Sequence, residues 1–103
     1  MQLAPDDLDI RTNQALAAAL ADDGDAAVTT MREIAHSPVA EPRHRRDFVV
    51  VLGMTGHRAE AETDTALGDL PKKEVQSLLA RATSIRSLTT PKARAKALGA
   101  IAG

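Results

Sequence analysis

The chain has no cysteine, no tryptophan and no tyrosine, and Phe48 is its only aromatic residue. Without cysteine there is no disulfide scaffold, no thiol nucleophile and no cysteine-ligated zinc site. Without aromatics beside the basic residues there is no platform for stacking unpaired bases, which weighs against a single-stranded nucleic-acid groove. Long apolar runs are missing as well: no stretch approaches the roughly 20 apolar residues of a membrane-spanning helix. The opening Met1-Gln2-Leu3-Ala4-Pro5-Asp6-Asp7 lacks the basic segment and apolar run of a secretory signal. The expected location is therefore cytoplasmic.

What the chain has in abundance is alanine, at 20 of 103 residues, against 25 larger apolar residues that are mostly Leu, Val and Ile. Alanine loses no side-chain entropy in a helix and leaves little bulk between neighbouring backbones, so it favours closely packed helices. The length fits one domain over residues 1–103 and argues against two independent cores. The predicted fold is all-α: a compact, irregular bundle of five or six short helices. A helical-repeat array is the less favoured version, because no residue pattern recurs with useful fidelity. The core must rest on Leu16, Leu20, Ile34, Phe48, Leu52, Leu78 and Leu79. Because one small core covers apolar stripes incompletely, a homodimer is expected, with residues 71–98 as its best-patterned interface.

Periodicity and punctuation place the helices. Asp6, Asp7 and Asp9 mark a helix start with Asp6 as the expected cap, and Leu8, Thr12, Leu16 and Leu20 follow a four-residue spacing. Asp22-Asp23-Gly24-Asp25 breaks that helix and caps another, whose stripe is Val28, Met31, Ile34 and Ala35. Together they predict a helical hairpin over 7–36. Pro38 and Pro42 bracket a linker, after which residues 47–52 read in two ways. Phe48, Val51, Leu52 and Thr55 share one helical face, whereas Val49-Val50-Val51 also suits a short buried strand. Helix is preferred, since a lone strand has no pairing partner within the chain. Gly53 and Gly56 are expected to end this helix. They miss the glycine spacing of dinucleotide and phosphate loops.

Ala59–Leu67 predicts a short exposed helix, and Gly68-Asp69-Leu70-Pro71 the next boundary. Val75, Leu78, Leu79, Ala82 and Ile85 then form the strongest apolar stripe, continued by Leu88 if the helix survives Thr83-Ser84. Thr90-Pro91 starts a last helix anchored by Leu98 and Ile101.

The net charge of −1 conceals an ordering along the chain. Residues 1–35 hold seven acids and two bases, while residues 71–103 hold seven bases and one acid. Two basic regions stand out: Arg43, Arg45 and Arg46, then Lys72, Lys73, Arg81, Arg86, Lys92, Arg94 and Lys96.

No catalytic constellation emerges. His36, His44 and His57 lack metal-ligand spacing, and only tertiary folding would bring them to Glu60 or Asp64; they are expected as caps or exposed polar groups. Asp22, Asp23 and Asp25 match neither a calcium loop nor a catalytic pair. The expectation is a nonenzymatic protein with no catalytic residue, no cofactor, no metal and no small-molecule substrate. Its leading function is a protein-protein interaction module, regulatory or part of an assembly. Val75, Leu78, Leu79, Ile85 and Leu98 would meet another protein or a second copy. The alternative is a DNA- or RNA-binding adaptor that uses the ten basic residues of the two clusters to contact phosphates.

Overall fold

The computed structural model describes residues 7–21, 23–88 and 90–101, and leaves the side chains of Pro91, Ala100 and Ile101 aside. Six α-helices and one 3₁₀ turn account for the regular structure among the described residues, and no strand occurs there. The helices are α1 (Leu8–Leu20), α2 (Gly24–Ala35), α3 (Pro42–Thr55), α4 (Arg58–Thr63), α5 (Lys72–Arg86) and α6 (Pro91–Ile101), with the 3₁₀ turn at Thr65–Leu67 between α4 and α5. The Cα radius of gyration is 12.8 Å, close to the ~13 Å of a compact domain of about 100 residues.

Local chemistry explains where each helix begins. Asp7 caps α1, its carboxylate accepting from the N–H groups of Asp9 and Ile10; the sequence had placed this cap on Asp6, which lies outside the described residues. α1 and α2 pack together across a short turn, as expected for the hairpin. Pro42 occupies the first turn of α3, where its missing N–H costs nothing. Pro71 precedes α5 at the cap position, and Thr90 Oγ1 accepts from the Ala93 N–H at the start of α6. Between α4 and the 3₁₀ turn, Asp64 splits what the sequence suggested as a single helix, its side chain accepting the Ala66 N–H at 2.8 Å.

Residues 47–52 are helical, and α3 is the centre of the bundle. It packs against α1, α2, α4 and α5, and Phe48, Val49, Val50, Val51 and Leu52 are all fully buried. Three adjacent valines cost the helix a few tenths of a kcal/mol each in propensity. Burying each one returns about 1.5–3 kcal/mol, so the tertiary term decides. A helix surrounded by others can be apolar all round.

Two glycines of α3 have different roles. Gly56 ends the helix in the left-handed conformation, φ +80°, while the His57 N–H returns to the Leu52 carbonyl at 2.8 Å. Gly53 does not end it. It lies within α3, where a Cβ would come 2.6 Å from the Ala82 Cβ and 3.3 Å from the Leu79 carbonyl oxygen. Gly53 and Ala82 thus let α3 and α5 approach backbone to backbone.

α5 passes through Thr83 and Ser84 without breaking, because both hydroxyls bond back to carbonyls one turn earlier, those of Leu79 and Ala80. It ends at Arg86, leaving Leu88 beyond the helix and 37% exposed. No helix among the described residues is long and apolar enough to cross a membrane.

Candidate functional site

The five apolar residues expected at a protein interface are not on the surface. Val75, Leu78, Leu79, Ile85 and Leu98 are all buried in the chain's own core. Their helical spacing reflects packing of α5 on α3 and of α6 on α5. The exposed large apolar residues among those described are Ile10, Val39 and Leu88.

The ten expected basic residues are divided by the fold. Arg43 is held between Asp9 at 3.1 Å and Glu41 at 2.8 Å. Those two carboxylates, Asp9 the stronger, raise its pKa. Arg46 lies 3.6 Å from Glu74, the single acid of the carboxyl-terminal hairpin. Arg45 is half-buried beside them. The first cluster is therefore largely neutralised and serves to join α3 to α1 and α5.

The carboxyl-terminal residues behave differently. Lys72, Lys73, Arg81, Lys92 and Lys96 are exposed, and none makes an ion pair among the described residues. Arg86 reaches back over the end of α3, where a Cβ on Gly56 would lie 2.8 Å from its Nη1. The partial negative charge of that helix end suits a guanidinium. Arg94 is half-buried and held in contacts of its own. Five cations on the α5–α6 hairpin thus face solvent unneutralised. Between Lys73 and Arg81 the outer face of α5 carries the small residues Ser77 and Ala80, and Leu88 emerges at the turn into α6.

Elsewhere, two ion pairs join helices. Arg11 meets Glu33 at 2.6 Å, linking α1 to α2. Arg32 of α2 grips Glu60 of α4 with both Nε and Nη2 at 2.7 Å. That hydrogen bonding lowers the Glu60 pKa and raises that of Arg32. No run or motif in the sequence signals these partners, 22 and 28 residues apart.

The histidines are engaged rather than free. His44 is buried and acts as a cap, the first of the two roles expected of it: its Nδ1 accepts the Glu41 N–H at 2.9 Å, and its Nε2 donates to Asp9 at 3.0 Å. The His44 hydrogen bond is the main reason that the Asp9 pKa is lowered. With both ring nitrogens in use, His44 holds the first turn of α3 to α1 and has no lone pair for a substrate or metal. One helical turn further on, burial pushes the Asp47 carboxyl up, against the pull of His44 and the neighbouring arginines. His57 Nδ1 lies 2.9 Å from Thr55 Oγ1. Because that hydroxyl donates to the Val51 carbonyl, Nδ1 supplies the proton between them. His36 Nε2 meets Asp64 at 2.8 Å. Among the described residues, no three His, Asp or Glu side chains gather as a metal site.

Comparison with protein-family models, curated proteins and solved structures finds no match to this chain.

Proposed function

We propose that the chain is a small, noncatalytic interaction module that docks through its α5–α6 hairpin onto an acidic surface of another protein. The setting proposed is cytoplasmic, and the role regulatory or structural within an assembly. One observation carries the reading: the cations of the amino-terminal half are mostly consumed by internal acids, whereas Lys72, Lys73, Arg81, Lys92 and Lys96 are left to solvent. Unpaired, like-signed charges on one hairpin repel each other mildly, and an acidic partner relieves that repulsion while steering the approach. Leu88 favours a protein, since it offers an apolar contact that a phosphate backbone cannot use.

Duplex nucleic acid is the second reading, supported by the same cations and by the low-bulk face of α5 between Lys73 and Arg81. Affinity capture followed by mixing of purified components separates the two. The expected partner is a protein that binds directly and is lost when Arg81, Lys92 and Lys96 are changed together to Glu. Direct binding that ignores this triple reversal would refute the proposed face. Stable binding to duplex DNA near physiological salt, with no direct protein partner, would move the assignment to nucleic acid.

A further inference from the structure

A groove of about 360 Å³ lies between the 61–70 segment and the first turns of α5, within the ~300–1,000 Å³ typical of small-molecule sites. Its floor is aliphatic, made by the buried Leu67 and Val75 and the half-buried Leu70. Its wall includes Asp64, whose side chain is only 8% exposed. Both contacts to this carboxylate fall on Oδ1: the Ala66 N–H donates to it at 2.8 Å, and His36 Nε2 lies 2.8 Å away as an ion-pair partner. Oδ2 makes none among the described residues. A carboxylate can accept about four hydrogen bonds, so this one keeps accepting capacity on Oδ2. Glu62 adds a second, exposed carboxylate to the lining, and Lys72 stands on the α5 side.

We infer that this groove binds a small aliphatic cation, an alkylammonium or alkylguanidinium, with its charged head on Asp64 Oδ2 and its methylenes on Leu67, Leu70 and Val75. The site goes beyond the hairpin surface and has the opposite preference, taking a cation where the hairpin takes an acidic surface. His36 orients the carboxylate from behind through Oδ1, which leaves Oδ2 for the ligand. Glu62 strengthens the attraction to a cationic head, and Lys72 opposes it.

The test is an NMR titration of the full chain with n-butylguanidinium, against n-butylurea as a neutral control of similar shape. Saturable shifts at Asp64, Ala66, Val75 and Gln76 are expected, with the cation favoured on the order of tenfold, as befits a hydrogen bond between charged groups. Asp64→Asn should abolish that preference. Because Asp64 also caps the 3₁₀ turn, two variants at exposed positions guard against misfolding: Glu62→Gln should weaken the cation and Lys72→Glu should tighten it. A capped arginine peptide distinguishes the source of the group. Tighter binding than free n-butylguanidinium assigns the site to a partner's side chain, and weaker binding to a free amine or guanidine. Equal affinity for the cation and the urea, shifts located elsewhere, or indifference to both rim variants would overturn the inference.

Discussion

Exchanging one methyl group across the α3–α5 contact probes the packing of this alanine-rich core most sharply. Helix propensity alone makes Gly53→Ala stabilising, by about 1 kcal/mol. The structure reverses that sign. The new Cβ would stand 2.6 Å from the Ala82 Cβ, whereas carbon atoms rest at about 3.5–4.0 Å. Both atoms are fixed to helix backbone and neither can rotate away, so the helices must part by about 1 Å. Overpacking of this kind costs about 1–3 kcal/mol, occasionally more, so the propensity gain is cancelled and Gly53→Ala is expected to destabilise by up to about 2 kcal/mol net. Ala82→Gly alone should cost about 2 kcal/mol, from lost propensity and one lost buried methyl. In the double variant the methyl merely changes sides, so its stability should return to within about 1 kcal/mol of the parent. Urea unfolding of the four proteins gives the coupling energy, expected near 3 kcal/mol in favour of the double variant. A Gly53→Ala protein more stable than the parent by the full ~1 kcal/mol of helix propensity, or additive costs in the pair, would refute the close contact.

Thr12 is buried and its hydroxyl has no hydrogen-bond partner among the described residues; Thr12→Val should therefore stabilise by about 1 kcal/mol and raise Tm by about 4–8 °C, whereas a fall in Tm in a thermal scan would mean that the hydroxyl is satisfied. Glu60→Gln should cost about 0.5–1 kcal/mol at neutral pH, modest because the paired Arg32 is largely exposed. The folded Glu60 pKa lies below its unfolded value, so the parent's advantage is full above the unfolded value and fades as pH falls through the folded one; a gap in urea stability that persists below that range contradicts the pairing. With Val75, Leu78, Leu79, Ile85 and Leu98 covered by the chain itself, sedimentation across concentration is expected to give a monomer, and a dimer would require an interface elsewhere.

Much of the fold was legible because its signals are local. Stripes such as Val75, Leu78, Leu79, Ala82 and Ile85, with starts such as Thr90-Pro91, need only neighbouring residues to be read. The three valines of α3 were ambiguous because local propensity and burial pull in opposite directions, and only the surrounding helices decide between them. Gly53 looked like a helix end for the same reason: its purpose lies on α5, at Ala82.

The candidate site was legible in composition but not in arrangement. An apolar stripe has the same spacing whether it faces a partner or its own core, so Val75 to Leu98 could not be assigned from periodicity. A count of bases cannot tell a neutralised Arg43 from an unpaired Lys92, because Asp9 meets Arg43 across 34 residues. The Asp64 carboxylate gave no sequence signal either, since its distinction is that only one oxygen is in use.

The central claim, that the α5–α6 hairpin is the face that receives an acidic partner, has a direct test that needs no partner in hand. Titration of the isotope-labelled chain with polyglutamate, followed by amide shifts at ~0.05 M and ~0.15 M salt, reports where a generic acidic polypeptide lands and how far screening weakens it. Shifts gathered on Lys72, Lys73, Arg81, Leu88, Lys92 and Lys96, shrinking with salt and lost in the Arg81→Glu, Lys92→Glu, Lys96→Glu variant, are the expected result. Shifts centred on Arg45 and Arg58, or a response unchanged by the triple reversal, would contradict it.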